Sequence, residues 1–299
     1  MSPLRARIET GSDLPAILWM VAAMVTFAGA DILIALATAP RVEGRPMTPG
    51  ALVVLQGAAL FLLFGIWAWV SGRPVTGEML RDRAVLGRTA GEMIGVGSFV
   101  VALAYGDFVT VSAILQIQPL AAVLLAVPFL GEPLARRQAA AIGLGMLGAL
   151  FVIRPGGAAF DPASLIAIGA VVGLSLRDLA TRKVRSAHHP TPLTAIVGAA
   201  LVPTGLGVMA LTGDAVSLPS FCASTAGLFA ALFGAIGFYA ITVALRLGTV
   251  ASIAPYRYVR LAVALLLAVA ILDAQPSALA WTGCLVIAVA GIYALGVRR

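Results

Sequence analysis

The sequence has few charged residues and few cysteines, and each shortage excludes a class of protein. Charged side chains make up 11% of the 299 residues, against about 25% in a soluble domain. Hydrophobic residues make up 61% and the mean hydropathy is +1.02, so we expect an integral membrane protein. The two cysteines, Cys222 and Cys284, are too few for a disulfide framework and lack the spacing of metal ligands.

Patterns for catalysis and for nucleotide binding are scarce as well. The only histidines, His188 and His189, are adjacent in a predicted loop, so the predicted spans offer no histidine as a base or metal ligand. A G-x-G-x-x-G match at 143–148 lies in an apolar helix with no preceding strand, which favours helix packing over dinucleotide binding. The net charge of +7 is scattered over short loops. We therefore expect no enzyme, cofactor, metal or nucleic-acid partner.

Apolar runs of roughly 20 residues indicate an all-α membrane fold, because that length spans the bilayer core as a helix. The runs are rich in Leu, Ala, Val and Gly and do not alternate as the strands of a barrel would. The sequence predicts ten transmembrane helices, at 15–38, 50–71, 84–105, 108–130, 135–154, 163–181, 191–212, 221–246, 249–272 and 277–297.

Lysine and arginine in the short loops predict the orientation. With both termini in the cytoplasm, fourteen basic residues lie inside and three outside, and Arg177, Arg257 and Arg260 remain within spans. We therefore expect a multi-pass protein of the cell (inner) membrane. Residues 1–14 would form a cytoplasmic tail, and we expect no cleavable signal peptide.

The chain also repeats itself. Residues 104–148 resemble residues 246–291, with an offset that changes from 142 to 143 along the segment. Asp31 in the first span likewise matches Asp178 in the sixth. Because five helices per copy is an odd number, the second copy enters the membrane from the opposite face. In transporters, such inverted repeats place the binding site near the midplane, between the two halves.

Four motifs point to one family through their order and spacing. They are Pro119 with Phe-Leu-Gly-Glu-Pro at 129–133, the glycine pattern 143–148 with Ile-Arg-Pro at 153–155, Ala-Pro-Tyr-Arg-Tyr at 254–258, and Trp-Thr-Gly at 281–283 leading to Gly-Ile-Tyr at 291–293. The sequence resembles the drug/metabolite transporter superfamily, in its EamA branch with two five-helix repeats. The resemblance implies repeats at 15–156 and 157–299, and a transporter of small molecules.

A finer likeness rests on Asp31 after Phe-Ala-Gly-Ala, on Leu-Arg-Asp-Leu-Ala-Thr-Arg at 176–182, and on Pro-Tyr-Arg-Tyr at 255–258. These look like the subgroup that includes riboflavin transporters, S-adenosylmethionine carriers and metallophore exporters. Members of one fold family carry different substrates, so the resemblance does not name the ligand.

Two arginines in the ninth predicted span are the first candidates for substrate binding. An arginine at mid-membrane costs about 2.5–3.5 kcal/mol to insert and almost always faces a cavity or the bundle interior. Arg257 and Arg260 lie three residues apart on one helix face. The alternative is structural pairing with buried acids. Glu92, at similar depth, is either a proton carrier or the counter-ion of an arginine.

Polar neighbours extend this candidate site. Tyr256 and Tyr258 can form flat walls for a ring-bearing ligand, or can simply pack. Gln116 and Gln118 are the repeat counterparts of Tyr258 and Arg260. They either line the cavity or make hydrogen bonds between helices.

Gating or proton coupling is predicted for Asp31, Asp178 and Arg177. Inversion places Asp31 toward the outer end of its helix and Asp178 toward the cytoplasmic end, as expected for outer and inner gate partners. Alternatively, each aspartate caps a helix or snorkels to its own interface, and snorkelling is the favoured explanation for Arg177 and Arg182 near the cytoplasmic end.

The leading hypothesis is a secondary transporter of a small polar or zwitterionic metabolite, with alternating access between the repeats and a lipid bilayer as its other partner. No nucleotide-binding motif is present, so coupling to protons or exchange is expected. A membrane-embedded enzyme and a passive channel are the alternatives. Two repeats suffice to enclose a cavity, so we expect a monomer, with a weak dimer as the alternative.

Overall fold

Every regular element that the structure describes is a helix. The computed structural model describes residues 13–38, 46–105, 111, 114–153, 162–213 and 221–295, and no strand occurs in these ranges. The predicted all-α fold is therefore confirmed for this part of the chain. The α-helices are α1 (Leu14–Thr38), α2 (Pro49–Val70), α3 (Gly77–Arg81), α4 (Arg83–Tyr105), α5 (Gln118–Leu130), α6 (Arg136–Ile153), α7 (Pro162–Lys183), α8 (Pro190–Thr212), α9 (Phe221–Leu247), α10 (Val250–Ile253), α11 (Val259–Leu272) and α12 (Ala278–Leu295). A 3-10 helix, Ala254–Tyr258, joins α10 to α11.

Six stretches of the described chain are long and apolar enough to cross a membrane. They are Leu14–Thr38, Pro49–Val70, Arg83–Ala102, Pro190–Thr212, Ala223–Leu247 and Val250–Leu272. Helix α5 and most of α12 are apolar but shorter. Each of the ten predicted spans overlaps a described helix, and the count of ten crossings remains a prediction.

The fourth predicted span, 108–130, is interrupted rather than continuous. Val111, Ile114 and Leu115 are helical, residues 106–110 and 112–113 lie outside the described residues, Gln116 and Ile117 form a turn, and α5 begins at Gln118. Pro119 explains the break, because it has no N–H to donate to the preceding turn and is favoured at the start of a helix.

The ninth predicted span is broken rather than continuous. Pro255 cannot donate a backbone hydrogen bond, and the chain tightens into the 3-10 helix Ala254–Tyr258 before α11 begins at Val259. Arg257 therefore lies in the 3-10 helix and Arg260 in the first turn of α11, on either side of the junction.

The helices pack in pairs across small residues. Helix α1 packs along α9, α2 along α8, α4 along α7, and α6 along α12. A Cβ atom on Gly91 would lie 2.8 Å from the carbonyl oxygen of Gly173, and one on Gly148 would lie 2.8 Å from that of Gly283. Only glycine permits such approach, so the interpretation of 143–148 as a packing motif is confirmed at Gly148.

Helix α7 positions the polar residues. Besides α4, it contacts α5, and α5 in turn contacts the 3-10 helix. Separately, α1 packs against α11 as well as α9. The side chains predicted for the site thus come from two places, the α4–α5–α7 junction and the α1–α11 contact.

Candidate functional site

Five polar side chains from four elements form one buried network, which we name the sealed cluster. Glu92 comes from α4, Gln118 from α5, Arg177 and Asp178 from α7, and Arg257 from the 3-10 helix. Each of the five is at most 8% exposed. The structure thus brings together half of the ten predicted site residues.

Asp178 is the centre of the sealed cluster. Its Oδ1 lies 2.9 Å from both Nε and Nη2 of Arg177. Its Oδ2 accepts a hydrogen bond from Nε2 of Gln118 at 2.8 Å and lies 2.6 Å from Nη2 of Arg257. Two guanidinium groups and one amide therefore share a single carboxylate, which joins α7 to α5 and to the 3-10 helix.

Glu92 is the second acid of the cluster and the counter-ion of Arg177. Nη1 of Arg177 donates to Oε1 and Oε2 of Glu92 at 3.0 and 3.2 Å. Only 1% of Glu92 is exposed. The structure thus shows one of the two roles predicted for Glu92, and the proton-carrier role remains a prediction.

Arg257 is incompletely satisfied. Its Nη1 donates to Oε1 of Gln118 at 2.8 Å, and its Nη2 pairs with Asp178. Its Nε is buried and has no hydrogen-bond partner among the described residues. A buried donor left without an acceptor costs about 1–3 kcal/mol, so the position of Arg257 in the cluster carries an energetic cost.

Arg88 is a buried arginine that the sequence analysis missed, because it was counted among the exposed charges of the cytoplasmic side. It is 2% exposed. It donates to Oγ1 of Thr181 at 3.1 Å, to the carbonyl of Leu193 at 3.0 Å and to Oγ1 of Thr242 at 2.6 Å. It forms no ion pair with any residue that the structure describes. The sequence does contain one indication of its burial: Arg88 lies four residues before Glu92, so both residues are on one face of α4.

Asp31 and Arg260 form a separate pair between α1 and α11, which we name the accessible pair. Nε and Nη2 of Arg260 donate to Oδ2 and Oδ1 of Asp31 at 2.7 and 2.5 Å. The side chains remain 39% exposed for Arg260 and 33% for Asp31. The ring of Phe27 lies 5.2 Å from Cζ of Arg260 and covers one face of the guanidinium.

The two tyrosines predicted as cavity walls are packed between helices. Tyr258 is fully buried, its ring lies against Gly145, and its hydroxyl donates to the carbonyl of Gln116 at 3.3 Å. Tyr256 is 4% exposed, and its hydroxyl donates to the carbonyl of Gly291 at 3.2 Å. Their observed contacts are those of the packing alternative, and substrate binding by Tyr256, Tyr258 and Gln116 remains a prediction.

Snorkelling was wrong as an explanation for Arg177 and Arg182, because each arginine has a carboxylate within reach. Nε of Arg182 donates to Oε1 of Glu132 at 3.0 Å. The other oxygen of Glu132 accepts from the backbone N–H of Val250 at 2.8 Å. Arg182 also reaches two carbonyls in the last turn of α9, at 3.5 and 3.4 Å. The ends of α5, α7 and α9 and the start of α10 are thereby joined.

The arrangement offers two kinds of chemistry. Guanidinium groups bind carboxylate or phosphate through paired hydrogen bonds, and carboxylates accept ammonium groups. The accessible pair presents both to the outside of the protein. The sealed cluster presents neither, because its side chains are buried against one another.

Comparison with known proteins agrees with this description. Residues 14–154, slightly less than half of the chain, match the model of the EamA-like transporter family. No curated protein matches the chain. Among solved structures, 29 chains match. One of them, described only as a crystal structure of a protein, has a TM-score of 0.82 at 19% identity and covers 95% of this chain and 99% of its own.

The structural likeness, at this identity, establishes a shared fold. The family match and the apolar helices together establish membrane embedding. The chain is therefore a multi-pass membrane protein whose first half matches the EamA-like transporter family and whose fold is already known from a solved structure.

Proposed function

We propose that the protein is a secondary transporter of a small polar metabolite across the cell (inner) membrane. In this proposal, two inverted five-helix repeats, 15–156 and 157–299, alternate in giving access to a site between them. The family match over the first repeat and the membrane-spanning helices support the transporter class.

The pairing of helices supports the inverted repeat. If α1 corresponds to α7 and α4 to α9, then the α1–α9 contact corresponds to the α7–α4 contact. Under the same correspondence α11 matches α5, so the α1–α11 contact corresponds to the α7–α5 contact. The α2–α8 and α6–α12 pairs correspond to themselves, as expected for pairs that lie on a two-fold axis.

The observation that carries the proposal is the difference between two matched aspartates. Asp31 matches Asp178 in the repeat, and Arg260, which binds Asp31, matches Gln118, which binds Asp178. One pair is about one-third exposed, whereas Asp178 is fully buried. Two equivalent positions, one open and one closed, are what alternating access requires.

We assign the accessible pair to the substrate site and the sealed cluster to the closed gate. Under the predicted orientation, the cluster lies on the cytoplasmic side, so the structure corresponds to a state open to the outside. Opening toward the cytoplasm would require Arg257 and Gln118 to separate from Asp178, because their contacts join α7 to α5 and to the 3-10 helix.

The candidate substrates include the ligands of the transporter subgroup that the sequence resembles. The test is counterflow into proteoliposomes with riboflavin, S-adenosylmethionine, amino acids and a nucleotide, at neutral and acid internal pH. We expect one saturable, stereoselective signal that Arg260→Ala abolishes while the protein remains monodisperse. A passive channel would give no saturable signal.

The matched control is Arg83→Ala, because Arg83 is exposed at the start of α4 and lies outside both groups of site residues. We expect its counterflow to equal that of the unmodified protein. Unchanged counterflow in the Arg260→Ala protein would contradict the assignment of the accessible pair to the site.

A further inference from the structure

We propose that Glu132, Arg182 and Val250 form a latch that holds one end of the protein closed, and that the protein without substrate therefore rests open at the other end. Under the predicted orientation, the latched end faces the cytoplasm. The inference rests on the proposed function, since it names the contact that decides which end is open at rest. Three observations carry it: the contacts of Glu132, their position between the repeats, and the sequence of the matching outer end.

Glu132 binds two partners through its two carboxylate oxygens. Oε1 accepts from Nε of Arg182 at 3.0 Å, and Oε2 accepts from the backbone N–H of Val250 at 2.8 Å. The exposed fraction of the side chain is 5% for Glu132 and 13% for Arg182. Hydrogen bonds to an ionised group are roughly twice as strong as neutral ones, so these two contacts resist separation.

These contacts cross the boundary between the two proposed repeats. Glu132 follows α5 in the first repeat, whereas Arg182 lies at the end of α7 and Val250 at the start of α10, both in the second repeat. Arg182 also reaches the carbonyls of Leu245 and Arg246, at 3.5 and 3.4 Å, and so joins α9 to the same point. A movement of one repeat against the other that opens this end must break the bonds of Glu132.

The matching turn of the second repeat lacks the acid. Helices α5 and α11 are each followed by a residue with positive φ, Gly131 and Asp273, and each turn then reaches a proline. Between these two points the first repeat has Glu132, whereas the second has Ala274 and Gln275, and neither of these is charged.

The matching position of the arginine is also uncharged. Because Asp178 matches Asp31, Arg182, which is four residues after Asp178, matches Ala35. Ala35 is exposed near the end of α1, the helix that carries the partly exposed Asp31. The outer end therefore cannot form the ion pair of the latch, and the resting protein is biased toward closure of the cytoplasmic end.

The test is the distance between spin labels at Arg137→Cys and Lys183→Cys, measured by electron paramagnetic resonance in nanodiscs without substrate. The full-length protein also carries Cys222→Ala and Cys284→Ala, so that only the two new cysteines are labelled. Arg137 and Lys183 are exposed, at the start of α6 and the end of α7, so the labels report on the two sides of the latch.

We expect one short distance in this protein. Adding Glu132→Gln should produce a second, longer distance and raise the ratio of open to closed molecules by about tenfold or more, because an ionic hydrogen bond is lost only in the closed state. A lower melting temperature with an unchanged distance would assign Glu132 a structural role alone and overturn the proposal.

Two further variants provide the second reading and the control. Arg182→Gln removes the other half of the ion pair and should give the same second distance, also where Glu132→Gln does not remain monodisperse. Gln275→Glu makes the reverse change in the outer turn, where Ala35 stands in place of the arginine, and should leave the short distance unchanged. A second distance of equal weight in the Gln275→Glu protein would overturn the latch.

The two proposals fail separately. A second distance in the Glu132→Gln protein, without saturable counterflow of any substrate in the unmodified protein, would contradict the transporter while leaving the latch in place. Saturable counterflow, together with one unchanged distance in both the Glu132→Gln and the Arg182→Gln proteins, would overturn the latch while leaving the transporter.

Discussion

Arg260 binds Asp31 through two nitrogens, with Nε 2.7 Å from Oδ2 and Nη2 2.5 Å from Oδ1. The pair joins α1 to α11, yet about a third of each side chain is exposed. Because both side chains are partly exposed, the pair can bind a ligand as well as join the helices, and an experiment can distinguish these two roles.

Exchange of the two charges is the first prediction. We expect Asp31→Arg and Arg260→Asp to lower both thermal stability and counterflow, because each leaves two like charges in contact. The double variant should restore the melting temperature in detergent, since the pair is re-formed, but not counterflow, since the guanidinium is then on the wrong helix. Recovery of counterflow in the double variant would assign a structural role to the pair.

Loss of the buried acid is the second prediction. Glu92→Gln should destabilise the protein by about 3–5 kcal/mol, because it leaves Arg177 with one carboxylate in a buried site. Glu78→Gln is the control: Glu78 pairs with Arg185 at 2.5 Å, but both side chains are about two-thirds exposed. Such surface pairs contribute about 0–1 kcal/mol.

Thermal melting of the two variants in one detergent measures the difference. A Glu92→Gln protein as stable as the Glu78→Gln protein would show that Arg177 needs only the carboxylate of Asp178 to be stable in the sealed cluster.

Two glycines of one helix provide the third prediction. Gly148→Ala should cost about 1–3 kcal/mol, because its Cβ would lie 2.8 Å from the backbone oxygen of Gly283 and force α6 and α12 apart. Gly143→Ala meets no atom within 4 Å and should be neutral or stabilising by up to about 1 kcal/mol, from helix propensity. Melting temperatures in detergent check both, and equal effects would contradict the close α6–α12 contact.

The hydroxyl of Tyr258 provides the fourth prediction. Tyr258→Phe removes the bond to the carbonyl of Gln116 and should lower stability by about 0.5–1.5 kcal/mol. Because the ring is fully buried against Gly145, we expect the half-saturating substrate concentration in counterflow to stay the same. A several-fold rise in this concentration would indicate that Tyr258 contributes to substrate binding.

The sequence analysis predicted the helical fold, the likeness to the EamA-like transporter family over the first half of the chain, and helix packing at the glycine motif 143–148. These depend on apolar length and local spacing, which a single sequence shows directly. The ionisable residues within the spans also stood out as candidates, because charge at membrane depth is costly wherever it lies.

Pairing and exposure could not be predicted in the same way. Arg88 lies in the second turn of α4, close to the predicted cytoplasmic end, where a charge is ordinarily solvated. Its partners Thr181, Leu193 and Thr242 are far away in sequence. Snorkelling fits the position of Arg182 in the sequence, but the carboxylate of Glu132 lies 3.0 Å from its Nε. The nearest acid in space depends on how helices pack, which spacing along the chain does not reveal.

The 3-10 helix Ala254–Tyr258 affects how α10 can move relative to α11. An α-helix turns about 100° and rises 1.5 Å per residue, whereas a 3-10 helix turns about 120° and rises about 2.0 Å. Rewinding these five residues to α geometry would therefore rotate α10 against α11 by about 100° and shorten the segment by about 2.5 Å. If α11 and Arg260 stay in place, α10 turns by the full angle, whereas Arg257, two residues before α11, turns by only about 40°.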